Sequence, residues 1–252
     1  MVYSWFRWLS VVIMVVSCRS IPKNLPELTP PDWQDGEIAV YNVMRNDTVL
    51  FRRVVTLDYD EEAGEPTLVF TNTVQSESAP FYFFDSTTFA LARFTLKPLW
   101  LTRTVATEIS VSEVEAEFES QRVHLRKQTI DGETEMSIKA HRNTLAIEMV
   151  PMFCRAIPLE PALSFVVQAA VPLEMRDILV RVKVLGTKSI ATPLGEILCR
   201  EVEAVAPGRN LRFAYELAEP HRLIAIRDFE NATETILTEF YVNPTSFPLP
   251  EE

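Results

Sequence analysis

The most regular pattern in the chain runs through residues 113–149, EVEAEFESQRVHLRKQTIDGETEMSIKAHRNTLAIEM. Apolar and polar residues alternate along most of it, so that Val114, Ala116 and Phe118 each stand between glutamates. A period of two is typical of an antiparallel strand that buries one face and exposes the other to water. We therefore expect consecutive strands here, with the glutamates on the wet face as partners of cross-strand cations rather than as a cation site.

Turn residues inside this stretch predict how its strands pair. The turns are Ser120-Gln121, Asp131-Gly132, which is a strong two-residue hairpin signal, and Arg142-Asn143. The pairs that they predict are Glu117 with His124, Leu125 with Ile138, and Ile138 with Ile147. In all three registers apolar residues lie opposite apolar residues, an agreement that a slip of one residue would destroy. The stretch is therefore interpreted as an antiparallel meander.

The same alternation continues on both sides of this stretch. Further strands are predicted at 37–45, 48–59, 67–75, 81–94, 99–109, 178–185, 188–192, 196–205, 211–217, 223–229 and 234–242. Residues 158–171 are the one predicted helix, because residues 162–167 fit a helical face and Pro172 follows its end. The predicted fold class is all-β: a long, curved antiparallel meander that forms an open or half-closed barrel, with one short helix near the middle.

Composition excludes several classes of function. The chain has 252 residues, 47% of them hydrophobic, which is enough for a core, and a net charge of -11, which disfavours nucleic acid as a partner. Its three histidines, His124, His141 and His221, are far apart in sequence, and neither Gly-x-Ser-x-Gly nor His-Glu-x-x-His occurs. We therefore predict no catalytic residue, no metal ligand and no cofactor.

The N-terminus carries the signature of an exported lipoprotein. Arg7 precedes an apolar run that is too short to cross a bilayer, and the run ends at Val15-Val16-Ser17-Cys18. These four residues resemble the bacterial lipobox, whose cysteine becomes the acylated N-terminus. The resemblance implies that Cys18 carries the lipid, with palmitate among its chains. Because Arg19 rather than aspartate follows, it also implies an envelope location at the outer membrane, facing the periplasm.

The predicted organisation follows from this N-terminus. Residues 1–17 are the signal peptide, residues 18–35 a lipidated, proline-rich tether, residues 36–243 a single curved β-sheet domain, and residues 244–252 a C-terminal tail. The expected partners are the membrane, through lipidated Cys18, and a lipid or an envelope protein.

A family resemblance appears at residues 182–202, VKVLGTKSIATPLGEILCREV. A strand, a Thr-Pro-x-Gly turn at Thr192 to Gly195 and a paired strand resemble a bacterial envelope family of unknown function. Further on, Arg222-Leu223 matches an Arg-Leu of that family, whereas its tryptophan, aspartate and final proline are missing here. The resemblance implies a long, strongly curved antiparallel sheet that is exported to the envelope, and it supplies no catalytic residue.

Two cysteines and a group of aromatic residues are the remaining candidates. Cys154 and Cys199 either form a disulfide in an oxidising periplasm or remain two buried, reduced thiols. The aromatic residues either line an apolar concavity or pack as the core of the sheet. Those proposed to line the concavity are Phe81, Phe83, Phe89 and Trp100.

Two functions of different class follow from these features. The first is a non-enzymatic, membrane-anchored lipoprotein that binds an apolar ligand or an envelope partner. The second is an envelope hydrolase that acts on glycan or lipid through unidentified carboxylates. An open apolar cavity favours the first, whereas two close carboxylates with perturbed pKa values in a cleft favour the second.

Overall fold

The computed structural model describes residues 25–30, 32–62, 64–76, 82–141 and 143–242. These residues form fifteen β-strands and one short α-helix, α1, at Val150–Arg155. The strands are β1 Glu37–Arg45, β2 Thr48–Glu62, β3 Glu65–Ser76, β4 Phe83–Ala92, β5 Pro98–Thr107, β6 Val111–Phe118, β7 Arg122–Thr129, β8 Gly132–Lys139, β9 Leu145–Ala146, β10 Ser164–Val171, β11 Arg176–Thr192, β12 Gly195–Ala206, β13 Arg209–Glu216, β14 Leu223–Asp228 and β15 Thr233–Val242.

All fifteen strands belong to one sheet. The strand order across the sheet is β8, β7, β6, β5, β4, β3, β2, β1, β15, β14, β13, β12, β11, β10, β9. The chain thus starts in the middle of the sheet, builds one half outward to β8, crosses to the opposite edge and returns. β1 and β15 join the halves, while β8 and β9 remain the two edges. The predicted fold class, an all-β antiparallel meander that does not close, is confirmed.

The predicted registers have three different outcomes. β6 and β7 pair with Glu117 opposite His124, as predicted. β7 and β8 pair with Leu125 opposite Met136 instead of Ile138, because the turn consists of Ile130 and Asp131. This shift of two residues leaves every side chain on its predicted face.

The third predicted register is wrong. Leu145 and Ala146 pair in parallel with β10 at the other edge of the sheet, and Ile147–Met149 form a 3-10 turn rather than a strand opposite β8. This 3-10 turn leads directly into α1.

The predicted helix at 158–171 is also wrong, because Ser164–Val171 is strand β10. Residues 167–171 are all buried, so this strand is covered on both faces and the period of two is lost. The helix lies earlier, at Val150–Arg155, where Pro151 occupies the first turn and all six residues are buried.

The Thr-Pro-x-Gly sequence forms the hairpin turn between β11 and β12. Thr192 pairs with Gly195, and the Thr192 hydroxyl donates to the Gly195 carbonyl at 2.9 Å. Gly195 has a φ of 114°, a left-handed conformation that glycine adopts without steric cost. β11 is one long strand where two were predicted, with a bulge between Val184 and Thr187.

The 3-10 turn and α1 fill one end of the concave interior. The Tyr215 hydroxyl donates to the Pro151 carbonyl at 2.7 Å, and the rings of Phe153 and Phe165 lie 6.2 Å apart. Arg155 ends the helix in a buried ion pair with Glu37, at 3.0 Å. Helix α1 is therefore attached to strands from both halves of the sheet.

The second half of the predicted tether lies against this filled end. The Thr29 amide donates to the Ala156 carbonyl at 2.8 Å, and Leu25 and Leu28 pack on the core. Trp33 is buried with its ring edge-on to Phe70 at 5.5 Å. Residues 25–30 and 32–33 therefore belong structurally to the folded domain. The predicted signal peptide, Cys18 and the tail at 244–252 lie outside the described residues.

No helix within the described ranges has the length and apolar character required to cross a membrane.

Candidate functional site

Of the aromatic residues proposed to line a concavity, the three that the structure describes do not all face the same side of the sheet. Phe89 is core, 3% exposed and stacked on Phe70 at 5.1 Å. Leu101 is the register partner of Phe89, so the adjacent Trp100 points to the opposite face, where its indole donates to Glu62 at 2.7 Å. Phe83 packs beside Phe51, and Phe81 lies outside the described residues. Of the described members of the set, Phe83 and Phe89 therefore face the concave side of the sheet and Trp100 does not.

The structure holds Cys154 and Cys199 as buried, free thiols. Arg200 is the register partner of Tyr215, whose hydroxyl binds α1, the helix that carries Cys154. Cys199 precedes Arg200 in the strand and so points to the other face of the sheet. The sheet therefore separates the two thiols, and the disulfide considered from the sequence is not formed. Burial raises the pKa of Cys154, and burial with nearby carboxylates raises that of Cys199 to about 12.

A cleft of about 440 Å³ opens at the end of the concave interior that α1 fills. We call it the end cleft. Its apolar lining is Leu28, Leu96, Pro98, Phe118, Ala140, Leu145 and Phe153, and its polar lining is Thr95, Lys97, Glu119, Ser120, His141, Asn143 and Thr144. This volume and this combination of apolar walls with a few polar groups are typical of small-molecule sites.

Separate parts of the chain build the end cleft. The β4–β5 turn, the β6–β7 turn, the β8–β9 connection and α1 each contribute lining residues, as does Leu28 from the predicted tether. Leu96 adopts a left-handed φ of 53° and is buried, an unusual conformation for a large side chain. Its amide donates to the Ala92 carbonyl at 2.8 Å, which holds this tight turn in place at the cleft wall.

A second group of interior residues is polar. We call it the polar belt, and its members are Arg53, Asn72, Asp85, Arg103 and Glu148. The four strand residues come from β2, β3, β4 and β5 and share the concave face, as the cross-strand pairs show. Glu148 reaches the belt from the 3-10 turn before α1 and bonds Arg103 at 2.6 Å.

Arg103 holds two carboxylates of the polar belt. Its Nε and Nη2 donate to Asp85 at 2.9 and 2.6 Å, and its Nη1 donates to Glu148 at 2.6 Å. Burial raises the pKa of Glu148, an effect that Arg103 opposes. Glu148 Oε2 is buried without a hydrogen-bond partner among the described residues. These are the two interior carboxylates that converge, but a shared guanidinium cation lies between them.

The polar belt was not predicted from the sequence. Its members come from five separate elements, which only the sheet register brings together. One feature of the sequence could have indicated it. Arg53, Asp85 and Arg103 each stand an even number of residues from apolar core residues of the same strand, and therefore on its buried face. A charged residue on the buried phase of a strand indicates either an interior ion pair or a site.

The histidines do not come together in the structure. His124 bonds Ser137 at 3.0 Å on the outward face, and His221 lies beside Glu219 at 3.0 Å. Across the part of the chain that the structure describes, no group of three or more histidine, cysteine, aspartate or glutamate residues is placed to hold a metal ion.

No family model matches the sequence, and no curated protein matches it. Among solved structures, the chain is similar to a β-barrel-like protein of the domain of unknown function DUF1849 from Brucella abortus. The TM-score is 0.54 at 9% identity, over 87% of this chain and 100% of that chain.

Two further structures are more distant. A proposed exported protein with a YmcC-like fold from Bacteroides fragilis has a TM-score of 0.36 at 11% identity, over 86% of this chain and 100% of its own. A proposed lipoprotein from Parabacteroides distasonis has a TM-score of 0.37 at 9% identity, over 87% and 100%. Of these three structures, the Brucella protein has a likeness close enough to assign a fold, and the chain therefore has a β-barrel-like fold.

Proposed function

We propose that the chain is a non-enzymatic lipoprotein of the bacterial envelope that binds an apolar ligand in the end cleft. Acylated Cys18 anchors it, at the outer membrane and facing the periplasm. The observation that carries the proposal is the end cleft itself, whose apolar walls include Leu96, Phe118 and Phe153 beneath a polar rim. An apolar ligand placed there removes hydrophobic surface from water on both sides of the contact.

The position of Leu28 supports this choice of site. Leu28 lines the end cleft and follows Cys18 by ten residues. At roughly 3.3–3.6 Å per residue, a fully extended chain spans at most about 35 Å between them. The cleft therefore lies within a few nanometres of the acylated cysteine, so a membrane lipid has only a short distance to travel from the bilayer to the cleft.

The alternative function, an envelope hydrolase, receives no support from the interior carboxylates. A glycosidase needs one carboxyl group as an acid and a second as a base or nucleophile on opposite sides of the scissile bond. Asp85 and Glu148 instead bind the same guanidinium of Arg103. A substrate cannot lie between them while that cation does.

Native mass spectrometry of the full chain, purified from bacterial membranes, tests the proposed function. Ala140 lines the end cleft and is half-buried, so Ala140→Trp fills the cleft with an indole. Ala191→Trp adds the same side chain at an exposed position of β11 and serves as the control. We expect a non-covalent lipid adduct on the wild type and on Ala191→Trp, and its loss from Ala140→Trp.

The contrary results are equally clear. A wild-type protein that carries no lipid adduct contradicts ligand binding, and an adduct that persists on Ala140→Trp contradicts the end cleft as its site. A co-purifying envelope protein that disappears with Ala140→Trp would replace the lipid by a protein partner at the same surface.

A further inference from the structure

We propose that Arg53 is a second binding site, separate from the end cleft, which takes the anionic group of a carboxylate or phosphate ligand inside the concave sheet. Arg53 lies on β2 between its register partners Tyr41 of β1 and Val74 of β3. Its Nε donates to Asn72 Oδ1 at 2.6 Å, and its guanidinium lies 5.9 Å from the centre of the Tyr41 ring. The side chain is thereby held in one place on the concave face.

Arg53 lacks the partners that the other arginine of the polar belt has. Arg103 is 19% exposed and contacts both Asp85 and Glu148 at 2.6 Å. In the described residues no carboxylate lies within 4.0 Å of the Arg53 guanidinium. Because it is half-buried, this cation has lost part of its water and has gained no ion pair in exchange. A bound anion supplies the missing partner.

The neighbouring carboxylate cannot take this role. Asp85 is near enough to Arg53 to act on it electrostatically, but both Asp85 oxygens already accept hydrogen bonds from Arg103. Burial lowers the pKa of Arg53. The charge of Asp85 therefore offsets only part of the hydration that burial removes from Arg53. The guanidinium is charged at neutral pH, and its Nη atoms have no hydrogen-bond partner among the described residues.

The free donors of Arg53 suit an anionic oxygen pair. Of the five guanidinium N–H groups, one bonds Asn72, and both Nη atoms remain without a hydrogen bond among the described residues. Two parallel N–H groups match two oxygens of a carboxylate or a phosphate in a bidentate contact. An ammonium has no acceptor, and an alcohol offers a single uncharged oxygen instead of two charged ones, so the geometry favours anions.

Apolar side chains lie next to this anion site. Phe51 precedes Arg53 by two residues and therefore shares its face, and its ring lies 5.2 Å from that of Phe83. Phe51 and Phe83, with Val74 and Val105, face the interior yet are only half-buried. An anionic amphiphile would place its head at Arg53 and its chain against these residues, whereas a free anion would use Arg53 alone.

Calorimetric titration of the full chain in lipid nanodiscs, with empty nanodiscs subtracted, tests the anion site. The probes are octanoate, octyl phosphate, inorganic phosphate, octanol and octyltrimethylammonium. We expect the two anionic amphiphiles to bind and octanol and the cation to bind at least ten-fold more weakly. Inorganic phosphate identifies the source: binding as tight as that of octyl phosphate indicates a free anion, and weaker binding indicates an amphiphile.

The matched variants are Arg53→Gln and Arg52→Gln. Arg52 is the adjacent residue of β2, also half-buried, and it points to the convex face. We expect Arg53→Gln to lower anion affinity about ten- to hundred-fold and Arg52→Gln to leave it unchanged. Ala140→Trp in the end cleft should not alter anion binding, so failure of the proposed function and failure of this site are distinguishable.

Thermal unfolding without added ligand supplies a second measurement. If Arg53 awaits an anion, Arg53→Met removes an uncompensated cation and the ligand-free protein unfolds at the same or a higher temperature. A lower unfolding temperature for Arg53→Met, with anion binding retained in Arg53→Gln, would assign Arg53 a structural role and overturn the proposal. Equal binding of octanol and octanoate would overturn it as well.

Discussion

Arg155→Met tests whether one buried ion pair attaches helix α1 to the sheet. The side chains of Arg155 and Glu37 are each 6% exposed, and the two Nη atoms donate to the two Glu37 oxygens at 3.0 and 3.3 Å. Arg155 Nε also donates to the Pro220 carbonyl at 2.9 Å, and the guanidinium lies 5.5 Å from the centre of the Trp33 ring. One side chain thus joins α1, β1 and the loop before β14.

The expected loss can be worked from this burial. Methionine preserves much of the side-chain volume but leaves the Glu37 carboxylate buried with one remaining hydrogen bond, from the Gln34 amide at 3.0 Å. Removing one partner of a buried pair costs about 3–5 kcal/mol, because the other charge remains without compensation. For a domain of this size that corresponds to an unfolding temperature lower by roughly 6–20 °C.

The assay is urea and thermal unfolding followed by tryptophan fluorescence, with a matched surface pair. Arg227→Met removes one partner of the Arg227–Glu234 pair, which has a shorter contact of 2.6 Å but side chains 37% and 35% exposed. Its cost should stay below about 1 kcal/mol. The double variant Glu37→Leu/Arg155→Met should recover most of the lost stability, because it removes both charges. A cost for Arg155→Met no larger than that for Arg227→Met would refute the reasoning.

Three further predictions follow from buried groups and from the N-terminus. Because burial raises the pKa of both thiols, iodoacetamide should leave Cys154 and Cys199 unmodified in the native protein. After unfolding without reductant, it should alkylate both. A mass that shows a disulfide would contradict the free thiols. The raised pKa of Glu148 adds stability that is fully present below its usual value of 4.5 and is lost as pH rises. In urea unfolding, the stability of Glu148→Gln relative to the wild type should therefore increase from pH 4 to pH 8. A stability difference that stays constant with pH would contradict this. Cys18→Ser should abolish incorporation of labelled palmitate and release the protein from the membrane fraction. Retention of the label or of membrane association would contradict Cys18 as the anchor.

The β6–β7 hairpin shows what the local sequence was able to predict. Its two strands are contiguous and joined by a short turn, so matching apolar residues across the turn yielded the observed pairing of Glu117 with His124. The β8–β9 connection did not follow the same logic. Leu145 and Ala146 pair with Ala169 and Ala170 at the far edge of the sheet, and no feature of residues 140–149 specifies that distant partner.

Strand β10 illustrates a second limit. Its apolar run was interpreted as a helix because a strand buried on both faces loses its alternation. What buries it is tertiary: Phe153 of α1 packs against Phe165 on one face, and on the other face Gln168 bonds Thr144 and the Lys139 carbonyl. The helix itself is too short to show a helical period in the sequence.

The sequence by itself determined the all-β class, the antiparallel meander and the faces of most strands, because these depend on a period of two between adjacent residues. Which side chains meet inside the concave sheet depended on the tertiary structure. The end cleft and the polar belt each combine side chains from several elements. Of the described aromatic residues that looked like one surface, Phe83 and Phe89 face the concave side and Trp100 the convex side. A cleft depends on which distant strands meet, and that is set by the curvature of the whole sheet and the helix that fills one end of it.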